Sequence, residues 1–499
     1  MPARASTSRA SPAAARSGAW SDRLAHSAEA DAFTLVAVAL YSLALVTVLL
    51  PAFVVQDTWL SLVAGREIAN TGLPSHETLT IWGRGSEWID QQWLAHLVLY
   101  ALMATGGIQL LGSALFSTLI GTYAAALVAA RRRPASSRNV LLVAVPGILL
   151  VPLSTARAQV FALPLFVAVV WLLSDDNRRP SRRVFAVVPV LALWANVHGS
   201  VVLGVALVLA HCLIEASRDV YRRRGARSLA RHALLGVASI GTVFASPYAH
   251  GLLGYYEALL IDPPFGDLIL EWRPPAPSLT NAPFFLAAFG VVWLLGRAGG
   301  RVPAFEVAAL VITLAAALTA QRNTIWFALA AIVLVPAVLE HLLPATRATN
   351  PAVNLATGVA AAVVVAGCLA YTATRPAGAW LGSWSFAGAD AVARAAERSD
   401  ASVMATDRNA DFLLWTHPEL RGRVALDVRF ELYSERQIEQ YVDFKAVSGP
   451  DWLSAADCCR LLVLDPRDDH DLLAALERGE YATAIYRDEF LAVVERTRS

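Results

Sequence analysis

Phe33-Thr34-Leu35-Val36-Ala37-Val38-Ala39-Leu40-Tyr41-Ser42-Leu43-Ala44-Leu45-Val46-Thr47-Val48-Leu49-Leu50-Pro51-Ala52-Phe53-Val54-Val55, followed at once by Gln56-Asp57-Thr58-Trp59-Leu60, is the stretch on which the fold turns. The apolar part carries no charge and exceeds the roughly 20 helical residues that cross a bilayer core. It is too long for a signal-peptide core and lacks a clear small-residue cleavage site, so it is expected to remain as the first membrane helix. Residues 1–32 before it are rich in Ala, Ser and Arg and are expected to be a disordered cytoplasmic tail.

The same pattern recurs outward from that stretch. Apolar runs lie at 107–130, 139–153, 158–173, 184–197, 200–216, 233–246, 283–296, 303–319, 324–343 and 353–373, with a shorter one at 93–105. The chain of 499 residues is 56% hydrophobic and only 16% charged, with mean hydropathy +0.50; soluble domains carry about 25% charged residues. This predicts a polytopic α-helical membrane protein of about 11 transmembrane helices over 33–374. Arginine orients it. With the N-terminus inside, 21 arginines (4–23, 131–138, 178–183, 218–231, 297, 301 and 347) face the cytoplasm and five face out: Arg66, Arg84, Arg157, Arg273 and Arg322. Positive charge is retained on the cytoplasmic side, and one false span would swap every later loop and erase the bias. The usage of Arg over Lys (Lys445 is the lone lysine) suggests a GC-rich bacterial genome, hence the bacterial inner membrane. Net charge +1 implies no attraction to nucleic acid. Inside loops are short, whereas the outer loops 56–92 and 246–282 are long, so any chemistry faces outward.

From residue 375 the character changes. Strands are expected at 401–406, 423–428 and 460–464, helices at 409–415, 435–447 and 469–478, and a hairpin about Arg487-Asp488: a small extracytoplasmic α/β domain over 375–499. It has no glycine-rich phosphate loop and no nucleophile elbow. Cys212, Cys368, Cys458 and Cys459 show no metal spacing or disulfide framework, and adjacency is poor geometry for an ordinary bridge between the last two.

Past Asp57, the residues Leu60, Val63, Ala64 and Ile68 fall at helical spacing, which predicts an amphipathic helix lying on the outer membrane surface. Asp57 reads either as that helix's N-cap or as a functional carboxylate. Gly65-Arg66, Gly72-Leu73-Pro74 and Trp88-Ile89-Asp90-Gln91-Gln92-Trp93-Leu94 follow. This order resembles the first outer loop of GT-C-type glycosyltransferases, the polyprenyl-phosphate-dependent membrane enzymes that include oligosaccharyltransferase catalytic subunits, protein O-mannosyltransferases and aminoarabinose transferases. The resemblance is strongest to uncharacterised bacterial members. It continues through Ala156-Arg157-Ala158-Gln159, Trp194-Ala195-Asn196-Val197-His198-Gly199, Ser246-Pro247-Tyr248, Glu271-Trp272 and Gln321-Arg322-Asn323, and the C-terminal region resembles the outer domain of the same set. Two departures stand out: the first loop has no Asp-Glu or Asp-x-Asp pair, and the Trp-Trp-Asp acceptor motif of oligosaccharyltransferases is absent. Protein N-glycosylation is therefore not expected.

The resemblance implies transfer of a sugar from a polyprenyl phosphate-linked donor to a glycan, lipid or protein of the cell envelope. Such transfer needs a base for the acceptor hydroxyl and cations for the departing phosphate. Asp57 matches the family's acidic position and is the expected base, with Asp90 its competitor. Arg157 and Arg322 stand at outer span ends beside Gln159 and Asn323; guanidinium pairs bidentately with phosphate, though snorkelling anchors are the plainer reading. His198 is a proton carrier, a ligand or a helix cap. Glu271 and Trp272 suit a sugar, by hydrogen bonding and stacking, or are an interfacial pair. A divalent cation is an open cofactor, since Asp57, Glu67, Asp90 and His96 are ligand types whose spacing defines no site. A transporter or flippase and a non-catalytic envelope scaffold are the rival classes. An enzyme predicts a deep groove near Asp57, a transporter a site at mid-membrane, and a scaffold neither.

Overall fold

The computed structural model describes residues 32–50, 53–153, 157–260, 269–344 and 351–497. The N-terminal tail, Ala156 and Arg347 lie outside the described residues, so the expectations placed on them go untouched. Every apolar run is helical over most of its length, because a helix satisfies its own backbone groups where water is absent. In chain order the helices are α1 (Ala32–Val48), α2 (Gln56–Thr71), α3 (Trp93–Arg131), α4 (Ser137–Gly147), α5 (Gln159–Arg178), α6 (Val187–Val197), α7 (Val201–Tyr221), α8 (Ala226–Val243), α9 (Leu252–Leu260), α10 (Ala282–Ala298), α11 (Ala304–Thr319), α12 (Thr324–Leu342) and α13 (Pro351–Thr374). Six of them, α3, α5, α7, α10, α12 and α13, are long and apolar enough to cross a membrane; α1, α4 and α11 are apolar but shorter. Gly106 and Gly107 break α3 into the two segments that the sequence separates. Gly107 takes φ +64°, a conformation only glycine adopts cheaply. α12 is the axis of the bundle: it is buried from Thr324 to Val338, and Trp326 packs on Phe166 and Trp194 at 5.2 and 5.7 Å.

The C-terminal region adds α14 (Ala377–Leu381), α15 (Phe386–Ser399), α16 (Asp407–Thr416), α17 (Glu435–Ala446) and α18 (His470–Arg478) around strands β1 (Val403–Ala405), β2 (Leu461–Leu464), β3 (Ala482–Arg487) and β4 (Ala492–Arg496). The sheet order is β1-β2-β4-β3, with β1 parallel to β2 and the other pairs antiparallel. The expected strand at 423–428 is not one. Val424 forms single bridges to Val403 and to Thr80, because the neighbour on its far side is the first outer loop rather than a strand. Ile81 and Trp82 donate backbone N–H groups to the carbonyls of Val424 and Ala425 at 2.8 and 2.9 Å. Cys458 and Cys459, against the expectation from adjacency, are bonded to each other; Cys212 and Cys368 are buried and free.

α2 also departs from its expected place. It is wedged between α3 and α16, with Trp59, Leu62, Val63 and Ala64 fully buried. Gly65 makes this possible: a Cβ there would stand 2.2 Å from the His96 carbonyl. Arg66 turns outward and donates to the carbonyls of Leu414 and Trp415 at 2.6 and 2.8 Å, closing the C-terminal end of α16. An amphipathic pattern reports that one face is buried, not what buries it.

Candidate functional site

A cavity of about 700 Å³ opens where the start of α2, the N-terminus of α5, the C-termini of α6 and α11 and the N-terminus of α12 meet α9, the second outer loop and the C-terminal region. Asp57, Arg157, Gln159, His198, Glu271, Trp272, Arg322 and Asn323 all border it. Asp90 does not. It is buried, and its carboxylate holds His96 Nδ1 at 3.0 Å, leaving the other ring nitrogen of His96, itself a cavity residue, unclaimed by Asp90.

Asp57 is not the N-cap of α2. That position is Val55, whose N–H is capped by Thr58 Oγ1 at 3.1 Å. Asp57 instead lies in the first helical turn, where the helix N-terminus favours a carboxylate, with Oδ2 3.5 Å from Arg157 Nη1. The same guanidinium nitrogen donates to Glu271 at 2.8 and 3.1 Å. One cation therefore serves two acids. Desolvation by the surrounding protein pushes the half-buried Asp57 carboxyl above its ordinary value; Arg157 opposes that rise and Glu271 adds to it. Burial also pushes Glu271 upward, but Arg157 and Arg322 outweigh it and hold it below its ordinary value.

The Arg322 guanidinium stacks on the Trp272 indole, 4.2 Å from the ring centroid. It makes no hydrogen bond to another side chain among the described residues, so its donors stay available. The short turn Gln321–Asn323 aims it: Gln321 N–H donates to the Arg273 carbonyl at 2.9 Å, and Asn323 Nδ2 to that of Ala316 at 3.0 Å. Gln159 is buried, and its amide has no hydrogen-bond partner among the described residues. His198 Nδ1 accepts the Ser200 N–H at 3.1 Å, which puts the proton of the neutral ring on Nε2. Burial first, then Arg322 and Arg157, holds its pKa well below 6.5, so the ring is an uncharged donor.

Comparison with known proteins gives a fold. Among solved structures, the chain is similar to the archaeal oligosaccharyltransferase AglB from Archaeoglobus fulgidus, determined in complex with an inhibitory peptide and a dolichol-phosphate. The TM-score is 0.53 at 12% identity, over 93% of this chain and 74% of that one. The chain has the GT-C fold. No protein-family model and no curated protein matches it.

Several motifs quoted above prove to be ties that hold the cavity together. Trp93 Nε1 donates to Asn196 Oδ1, and Gln91 Nε2 to the Ala195 carbonyl, both at 2.8 Å, so the end of the first loop is bolted to the end of α6. Tyr248 Oη donates to the Pro74 carbonyl at 2.9 Å, joining the two long loops. Of the four metal-ligand types, Asp90 holds His96, which borders the cavity together with Asp57; Asp57 faces Arg157, and Glu67 pairs with Arg421 at 2.7 Å. Among the described residues no group of three or more His, Cys, Asp or Glu converges as a metal site would require. No step below uses a cation.

Sequence reasoning missed the far wall. Asp407, Arg429, Phe430 and Glu431 of the C-terminal region, with Tyr255 of α9, border the same cavity. Arg429 is buried and clamped between Asp427 and Glu77, with its guanidinium 4.2 Å from the Trp88 ring centroid. No local motif announces these residues. The one available signal was a run of charge, Asp427 to Glu431, inside an otherwise apolar stretch.

Proposed function

We propose that the protein is a membrane glycosyltransferase that moves a sugar from a polyprenyl phosphate-linked donor to a hydroxyl-bearing acceptor of the bacterial cell envelope. In this reading the chain crosses the inner membrane about eleven times, with its N-terminus cytoplasmic and the C-terminal domain outside. The observation that carries it is the gathering of Asp57, Arg157 and Arg322 around one cavity in a GT-C fold. The cavity opens at the ends of helices rather than at their middles, which favours an enzyme over a transporter.

The chemistry follows from the groups present. Arg322, with free donors, and Arg157 receive the two-oxygen face of the donor phosphate. Trp272 offers a flat apolar surface to the sugar ring, and Gln159 and the His198 Nε2–H offer directional bonds. The acceptor oxygen attacks the anomeric carbon as the bond to the phosphate oxygen breaks. The electron pair leaves with the phosphate, whose added charge the arginines stabilise, and the hydroxyl proton passes to Asp57. Phosphate binding draws Arg157 away from the acids, which makes Asp57 a stronger base when the donor is in place. The reading is tested by mass spectrometry of envelope glycans from cells with and without the gene, paired with transfer from a purified polyprenyl-linked donor. Identical glycans and no transfer would overturn it.

A further inference from the structure

The turn between α6 and α7, His198-Gly199-Ser200, carries a chain of hydrogen bonds that ends at the cavity. It begins at the Trp194 indole, which is fully buried and can only donate. Trp194 Nε1 donates to Ser200 Oγ at 3.1 Å. That oxygen lies 2.8 Å from His198 Nδ1. Because the indole cannot accept, Ser200 Oγ is the acceptor toward Trp194, and its own proton is left for His198. The Ser200 backbone N–H donates to the same Nδ1 at 3.1 Å. Two donors on one ring nitrogen leave no place for a proton there, so the proton sits on Nε2. The His198 backbone is held as well. Its N–H donates to the Trp194 carbonyl at 3.0 Å, and its carbonyl accepts from the Val201 N–H at 3.3 Å.

Nε2–H is the end of the chain. His198 is only 8% exposed, and Nε2 has no hydrogen-bond partner among the described residues. A donor so enclosed is costly to leave unmade; on a residue that borders the cavity, it points to what the cavity binds. The charged and titratable groups that act on the ring are Arg322 from the 321–323 turn, Arg157 from just before α5 and His96 from α3. No carboxylate pairs with the ring among the described residues. His198 therefore stands on the cationic side of the cavity, with the two guanidiniums assigned above to the donor phosphate.

We propose that His198 Nε2–H is a third donor to the phosphate of the polyprenyl-linked substrate, beside Arg157 and Arg322, and that Ser200 is the positioning residue that fixes this tautomer. The proposal rests on the glycosyltransferase reading and deepens the donor half of the same site. The division of labour is chemical. One Arg157 nitrogen is already shared by Asp57 and Glu271. A neutral imidazole adds a directional bond to the phosphate without adding a third charge to two guanidiniums that already repel each other. A neutral ring N–H also keeps its proton. The phosphate leaves with the electron pair of the broken bond, the acceptor's proton goes to Asp57, and His198 is unchanged at the end.

The experiment measures binding of bare polyprenyl phosphate to the purified full-length protein, unaltered and as His198→Phe, His198→Gln, Ser200→Ala, Ser200→Thr and the double variant Ser200→Ala/His198→Phe. Sugar transfer is followed alongside. His198→Phe keeps the ring and removes the donor; binding is expected to weaken roughly ten- to a hundredfold, the usual worth of a hydrogen bond to a charged group. His198→Gln, whose amide N–H falls near Nε2, recovers part of it. Ser200→Ala weakens binding roughly two- to tenfold, Ser200→Thr restores it, and Ser200→Ala has no further effect once His198 is Phe, since it acts through the ring. Unchanged binding in His198→Phe overturns the phosphate contact; reduced transfer with that unchanged binding would place the ring on the sugar instead. Losses that add in the double variant, or no rescue by Ser200→Thr, overturn the positioning role of Ser200. Ser200→Ala against Ser200→Thr decides the matter should His198→Phe fail to fold. An unaltered chain that binds no polyprenyl phosphate overturns the glycosyltransferase reading itself, and this proposal with it.

Discussion

Arg157 Nη1 lies 3.5 Å from Asp57 Oδ2 and 2.8 Å from Glu271 Oε2, so the same guanidinium nitrogen that would receive a phosphate first neutralises the residue that would take a proton. A base masked until the donor arrives is protected against idle protonation. Without donor, the pair keeps two acids beside each other at tolerable cost, since a buried charge left alone is expensive.

Asp57→Asn keeps the shape of the side chain but cannot accept a proton. Transfer in a membrane assay is expected to fall by about 10²- to 10⁴-fold, the usual contribution of a general base. Asp90→Asn is expected to cost less, because Asp90 acts only through His96. Loss in Asp90→Asn alone, with Asp57→Asn fully active, would move proton handling to the Asp90–His96 pair.

The pH profile carries a sign. The Asp57 carboxyl is raised above its ordinary value, so the base is present above that raised pKa and lost as pH falls through it. The acidic limb of kcat/KM, which reports the donor-free enzyme, should lie above the normal carboxylate range and vanish in Asp57→Asn. Arg157 holds the rise in check, so Arg157→Gln should move the limb to higher pH. A limb unmoved by that substitution would remove Arg157 as its partner.

Donor affinity is the readout for the two cavity arginines. Arg157→Gln and Arg322→Gln are each expected to weaken polyprenyl phosphate binding roughly ten- to a hundredfold, from about 1.5–3 kcal/mol per charge-assisted contact. Membrane insertion should be unchanged. Unaltered binding in both would make them anchors.

Arg429 tests how the far wall is built. Arg429→Met strands Glu77 and Asp427, both fully buried, and breaking such a pair costs about 3–5 kcal/mol. Thermal unfolding of the detergent-solubilised protein should shift down sharply, with early proteolysis in the C-terminal region. Arg84→Ala, which removes an exposed bond to the Gly422 carbonyl, should lie within about 0.5 kcal/mol of the unaltered chain. Equal behaviour of the two would remove the clamp.

Orientation is open to reporter fusions. A periplasm-dependent phosphatase fused after Ser499 should be active and one fused after Arg133 inactive. The reverse pattern would invert the topology and remove every site proposed on the outer face.

The helices, the two long loops and the bias of arginine were legible by reading along the chain, because apolar length and charge count are local and a bilayer acts on them one segment at a time. The motif residues Arg157, Gln159, His198, Glu271 and Arg322 were legible as candidates, since each is a polar residue set at the end of an apolar run. What each does was not. Asp57 and Asp90 look alike in sequence, two aspartates of one loop, yet one borders the cavity and the other is buried behind a histidine. Gly65-Arg66 read as a motif; it is a close helix crossing and a cap on a helix that starts more than three hundred residues later. The far wall of Arg429 and Glu431 showed along the chain only as a run of charge, and that it faces this cavity was decided by which segments the tertiary contacts bring together.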